Sequence, residues 1–160
     1  MVVSNTSPLN YLILIEEIDV LPRLYERVII PRSVSGELQA AETPEPVRTW
    51  ILNPPDWLEI SPETGLLDSD LMSLHAGERD AITLALHLQA DAVLIDERRG
   101  RGEAEKRELK VIGTIGVLAF AHERGLLNLR NAIGRLQMTT FHLSPKLAAS
   151  VLEKYENTLE

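Results

Sequence analysis

Six residues of this chain carry side-chain oxygens at places where they could act together. They are Asn5 in VVSNTSPL, Glu37 in VIIPRSVSGEL, Glu78 and Asp80 in AGERDAITLAL, and Asp96 and Glu97 in VLIDERRGR. Carboxylates gathered in one crevice repel each other, and the direct relief is a divalent cation that prefers oxygen ligands, Mg²⁺ or Mn²⁺. Such an ion polarises a phosphate and lowers the pKa of its water, which is the chemistry of phosphodiester cleavage. Arg98, Arg99 and Arg101 follow the last acids directly. Guanidinium groups there suit the phosphates that flank a scissile one.

These residues converge only if the elements before them end at one edge of a sheet. Val2-Val3 reads as a short buried strand ending near Asn5, followed by a helix with Ser7 as cap and Pro8 at its first position. Val28-Ile29-Ile30 is a second β-branched run, closed by Pro31, and Ser33 to Ala40 follows as a helix with Val34 and Leu38 on its core face. Five of the nine prolines fall between Thr43 and Pro62, which predicts an irregular connector apart from a short helix over Val47 to Leu52 and a strand over Trp57 to Ile60. From Gly77, the stripe Ala81, Leu84, Ala85 and Leu88 marks a largely buried helix. Ala92 to Ile95 suits a parallel strand covered on both faces, with Asp96 at its carboxyl end.

Arg101 to Leu109 reads as a charged helix and Val111-Ile112 as a strand. Thr114 caps a helix that stops before Gly125; one more spans Ala132 to Met138, and a last follows Ser144-Pro145. This alternation predicts a three-layer α/β/α fold with a central, mainly parallel sheet, formed by residues 1–160 as a single domain. Ligands of such sheets bind outside the carboxyl ends of the strands, where Asn5 and Asp96 stand.

Composition narrows the classes. A chain of 160 residues with 44% hydrophobic content can bury a core without cross-links. It has no cysteine, which removes thiolate metal sites and cysteine nucleophiles and fits a reducing, cytoplasmic setting. A net charge of −8 argues against broad charge-driven binding to phosphate backbones, so a nucleic-acid substrate needs a local basic patch. No apolar run reaches membrane-spanning length, and the start lacks a basic leader. The histidines lack metal-ligand spacing, the serines lack a nucleophile elbow, and no glycine-rich phosphate loop occurs. Each acid also has an ordinary explanation: Glu78 and Asp80 favour a helix macrodipole, Glu37 suits a solvated surface, and Asp96-Glu97 could be a turn whose arginines pair along a helix.

Taken together and in order, VVSNTSPLNYL, VIIPRSVSGEL, AGERDAITLAL, VLIDERRGR and VIGTIGVL resemble the PIN-domain superfamily, most closely its small prokaryotic PIN-like branch of VapC-like proteins. The resemblance spans nearly the whole chain and implies a metal-dependent ribonuclease fold, commonly a dimeric toxin held inactive by a small antitoxin. It places the first acidic position of the family on Asn5, the second on Glu37, the third on Asp80 with Glu78 as its substitute, and the fourth on Asp96 or Glu97. Asn5 departs from the pattern, because an amide offers a carbonyl oxygen without a charge. Thr6 and Ser7 match the small hydroxyl positions beside that first ligand.

The expectation is therefore a Mg²⁺- or Mn²⁺-dependent endoribonuclease, the toxin of a VapBC-like pair. Glu37, Asp80 and Asp96 act as catalytic metal ligands, Asn5 assists, and Thr6, Ser7, Arg98, Arg99 and Arg101 hold substrate. The alternative is a catalytically weakened PIN-like module that binds RNA or a protein. A small-molecule phosphohydrolase is a third reading. The expected partners are RNA, a small antitoxin and a second copy of the chain, with no membrane. The apolar face running from Leu9 to Ile15 with Leu21 and Leu24 serves either the dimer or the core.

Overall fold

The computed structural model describes residues 1–62 and 69–156. Five strands, β1 (Val2–Ser4), β2 (Val28–Pro31), β3 (Leu58–Ser61), β4 (Ala92–Leu94) and β5 (Val111–Ile112), form one sheet in the order β3-β2-β1-β4-β5. Every pairing is parallel, with Val3 opposite Ile29 on one side and Val93 on the other.

Alternation along the strands sends side chains to two cores. Val2, Ile30 and Leu94 face α1 (Thr6–Leu14), α2 (Leu21–Leu24), α3 (Arg32–Leu38), α4 (Glu45–Leu52), α7 (Thr114–Glu123), α8 (Leu129–Gln137) and α9 (Pro145–Glu156). Val3, Ile29, Val93 and Ile95 face α5 (Ala76–Leu88) and α6 (Arg98–Lys106). Helices thus cover both faces of an all-parallel sheet, the three-layer arrangement that buried, non-alternating strands require.

Several boundaries differ from the sequence reading. The first helix begins at Thr6 with Asn5, not Ser7, at its cap position, and Pro8 is its third residue. Proline fits there because the N–H groups of a first turn have no helical acceptor. The charged helix begins at Arg98 rather than Arg101. Its glycines argue against helix by propensity, but packing decides: a Cβ on Gly100 would lie 3.0 Å from Glu78 Oε2 and 3.1 Å from Ile95 Cγ2, so glycine lets α6 sit down on α5 and β4. Thr114 is the first helical residue, with Gly113 before it. The short 3₁₀ turn Ile18–Val20 and α2 lack a periodic signal long enough to read. The proline-rich connector contributes β3 as an edge strand, where its composition is tolerated.

The face of Leu9, Leu12 and Leu21 is fully buried against the sheet, and Leu24 packs on its margin. That face is core. Among the described residues, no helix is long and apolar enough to cross a membrane.

Candidate metal and nucleic-acid site

The sheet order reverses direction at β1. The chain leaves β1 into α1 on one face and leaves the neighbouring β4 into α6 on the other, opening a crevice between the two carboxyl ends. The Asn5 N–H still donates to Leu94 O at 2.9 Å, which pins the start of α1 to the end of β4.

A cavity of about 400 Å³ opens at this point, lined by Asn5, Thr6, Glu37, His75, Glu78 and Glu97 among others. Asn5 is 3% exposed, and its Oδ1 is buried without a hydrogen-bond partner among the described residues. A buried amide oxygen left unpaired costs about 1–3 kcal/mol, so a ligand or ion that engages it would recover that cost.

Glu37, on the last turn of α3, is held from two sides. The Thr6 hydroxyl donates to its Oε2, and the Gly77 N–H donates to its Oε1 at 3.1 Å. Gly77 leaves room for the Glu37 carboxylate, which a Cβ there would have to displace. Each carboxylate oxygen keeps a further lone pair.

Glu78, in the first turn of α5, is 4% exposed. Burial, a hydrogen bond with Glu97 and the charges of Glu97 and Glu37 push its carboxyl up to about 8, against a smaller opposing pull from Arg99. The repulsion expected of gathered carboxylates is therefore present, and it falls on Glu78.

Asp96 is engaged differently. Its Oδ1 accepts from the Thr114 N–H at 2.7 Å, and its Oδ2 accepts from the Thr114 hydroxyl at 2.7 Å and the Ser7 hydroxyl at 2.8 Å. It borders the adjoining cavities with Arg101, and one of these with Arg98 as well, rather than the cavity of Glu37. Asp80 is not brought to the crevice: its Oδ1 lies 3.3 Å from Arg79 Nε on the same helix. Sequence reasoning sees Thr114 only as a helix cap and gives His75 no role. The signal that could mark Thr114 is its place directly after a strand end.

Among the described residues, no group of three His, Asp or Glu is gathered closely enough to hold a metal ion by itself. The donor chemistry nevertheless fits a hard divalent cation. The cavity offers an orphaned amide oxygen and carboxylates under mutual repulsion, and Mg²⁺ commonly keeps several waters rather than an all-protein cage. Asn5, Glu37, Glu78 and Glu97 are the residues that could hold it.

A family model described as the PIN domain matches residues 1–157. The chain belongs to the PIN-domain family, and membership points to a nuclease that binds nucleic acid with divalent metal ions. No curated protein and no solved structure matches the chain.

Proposed function

We propose that the protein is a Mg²⁺- or Mn²⁺-dependent endoribonuclease, with residues 1–160 acting as one PIN-like domain. One observation carries the reading: Asn5, with its unpaired buried oxygen, lines one cavity with Glu37, Glu78 and Glu97 at the carboxyl edge of the sheet.

Asn5, Glu37, Glu78 and Glu97 would hold the cation. What a bound ion supplies there is polarisation of the phosphate and acidification of a water. Thr6 and the Gly77 N–H orient Glu37, while Ser7 and Thr114 hold Asp96 so that it fixes the ends of α1 and α7 against β4. Asp96 is thus a positioning residue and Glu97 the ligand beside it. Arg98 and Arg101, on the first turns of α6, would receive backbone phosphates.

A divalent-metal titration followed by RNA cleavage tests this. Wild-type protein should cleave only with metal, and Glu37→Gln should not; cleavage that survives EDTA or the Glu37 variant rejects the reading.

A second reading is a PIN-like module that binds RNA or a protein without cleaving, and the neutral Asn5 is what favours it. Asn5→Asp separates the two, because a weakened nuclease should gain Mn²⁺-dependent cleavage and a binding module should remain inert. The wider context we propose is a cytoplasmic VapBC-like toxin, acting as a homodimer and restrained by a small antitoxin that sets a basic residue among the acids. Co-expression with the product of an adjoining short reading frame would test that pairing.

A further inference from the structure

A second cavity, of about 650 Å³, runs beside the edge strand β5. A hydrogen-bonded pair of side chains links it to the cavity of Glu37. Ser7 lines the first, Asp96 lines the second, and they are hydrogen-bonded at 2.8 Å. A polymer leaving the site past this pair would enter the groove next.

Apart from Arg101, already proposed to receive a backbone phosphate, the groove combines features that no step of the proposed cleavage uses. Ile115, Phe120 and Phe141 give it an apolar wall, and Arg101 and Lys110 add cations. The carboxylate of Asp96, which also borders it, is occupied by three donors. In a chain of net charge −8, the groove thus sets two cations and one hydrogen-bonded carboxylate beside aromatic side chains. Tyr25, whose ring centroid lies 6.4 Å from that of Phe120, also lines it, and the Tyr25 hydroxyl is buried with no partner among the described residues.

A nucleobase has apolar faces, a hydrogen-bonding edge and an anionic phosphate one sugar away, and 650 Å³ is ample for such a ligand. An aliphatic ligand would leave the cations and the hydroxyl unused. We propose that this groove is a nucleotide subsite, which takes one unstacked base of single-stranded RNA against its aromatic wall and the adjoining phosphate on Arg101 and Lys110. The proposal rests on the nuclease reading for its choice of RNA, but its test does not need cleavage.

The test measures binding by metal-free protein in EDTA, using a short fluorescent single-stranded RNA and its abasic counterpart of equal charge. Wild-type protein should bind the abasic strand about tenfold more weakly, the worth of one base–aromatic stack. Ile115→Trp, which fills the groove, should bring the two affinities together. Lys110→Glu, at an exposed position, should weaken both alike, and it decides the matter if Ile115→Trp fails to fold by circular dichroism. Equal wild-type affinity for the two strands overturns the subsite and is the outcome expected of a groove built for a partner's peptide. An Ile115→Trp protein that keeps the wild-type ratio, or affinity indifferent to Lys110→Glu, also overturns it. Cleavage with Mn²⁺ is scored separately, so a nuclease without this subsite and a subsite without nuclease activity give different results.

Discussion

The Ser7 hydroxyl donates to Asp96 Oδ2 across 2.8 Å, joining residues 89 apart in sequence at the point where the sheet changes direction. Thr114 reaches the same carboxylate with both its N–H and its hydroxyl. Three segments therefore depend on one charged acceptor, and hydrogen bonds to a charged group are each worth about 1.5–3 kcal/mol.

Replacing Asp96 by Asn should for this reason cost stability as well as activity. An amide nitrogen would face hydroxyl or N–H donors, and the loss should be about 1–3 kcal/mol. Urea unfolding measures it, and Ser7→Ala should lose less, because Thr114 still satisfies Asp96.

Gly77→Ala should separate activity from stability. Alanine favours the helix, but its Cβ would displace the Glu37 carboxylate from the Thr6 hydroxyl and the Gly77 N–H, so the two effects on stability oppose each other. A melting temperature that changes little, together with a sharp loss of metal-dependent cleavage, is the expected pair of results.

Glu78 makes the metal-free protein sensitive to pH. An unperturbed Glu titrates near 4.5 and Glu78 at about 8, so between those values the folded state holds a proton that the unfolded chain has released. Its contribution to stability is complete below the lower value and is lost as pH rises through the upper one. Thermal melts in EDTA across that window should fall less steeply for Glu78→Gln. The same variant should lose cleavage, whereas Asp80→Asn, which only removes a partner of Arg79, should keep most of it.

Asn5→Asp should lower the melting temperature without metal and enlarge the stabilisation by Mn²⁺. It adds a charge to a cavity where Glu78 already resists ionisation, and an ion bound only by the folded state stabilises it in proportion to RT ln(1 + [L]/Kd). Calorimetry with and without Mn²⁺ measures both changes.

The layering of the fold is legible in the sequence because Val2-Val3, Val28 to Ile30 and Ala92 to Ile95 are apolar runs too short for helices, each followed by a helical pattern. The starts of α1 and α6 are not. Ser7-Pro8 imitates a cap, and the glycines of α6 hide a helix that only its contact with Glu78 and Ile95 explains. For the site, the sequence reading prefers Asp80 and keeps Glu78 only as its substitute. Helix rotation reverses that order, turning Glu78 inward to the cavity and leaving Asp80 beside Arg79. The engagement of Asp96 by Thr114 depends on β4 and β5 lying side by side, a long-range fact no local pattern carries.

Of the five strands the central one comes earliest in sequence, yet its neighbour β4 and the acid after it lie some ninety residues later. A nascent chain on the ribosome therefore carries Asn5 and Glu37 long before Glu78 and Glu97 exist to join them. Until translation has passed β4 the cavity lacks part of its lining, so whatever chemistry it performs can begin only once that strand has docked beside β1.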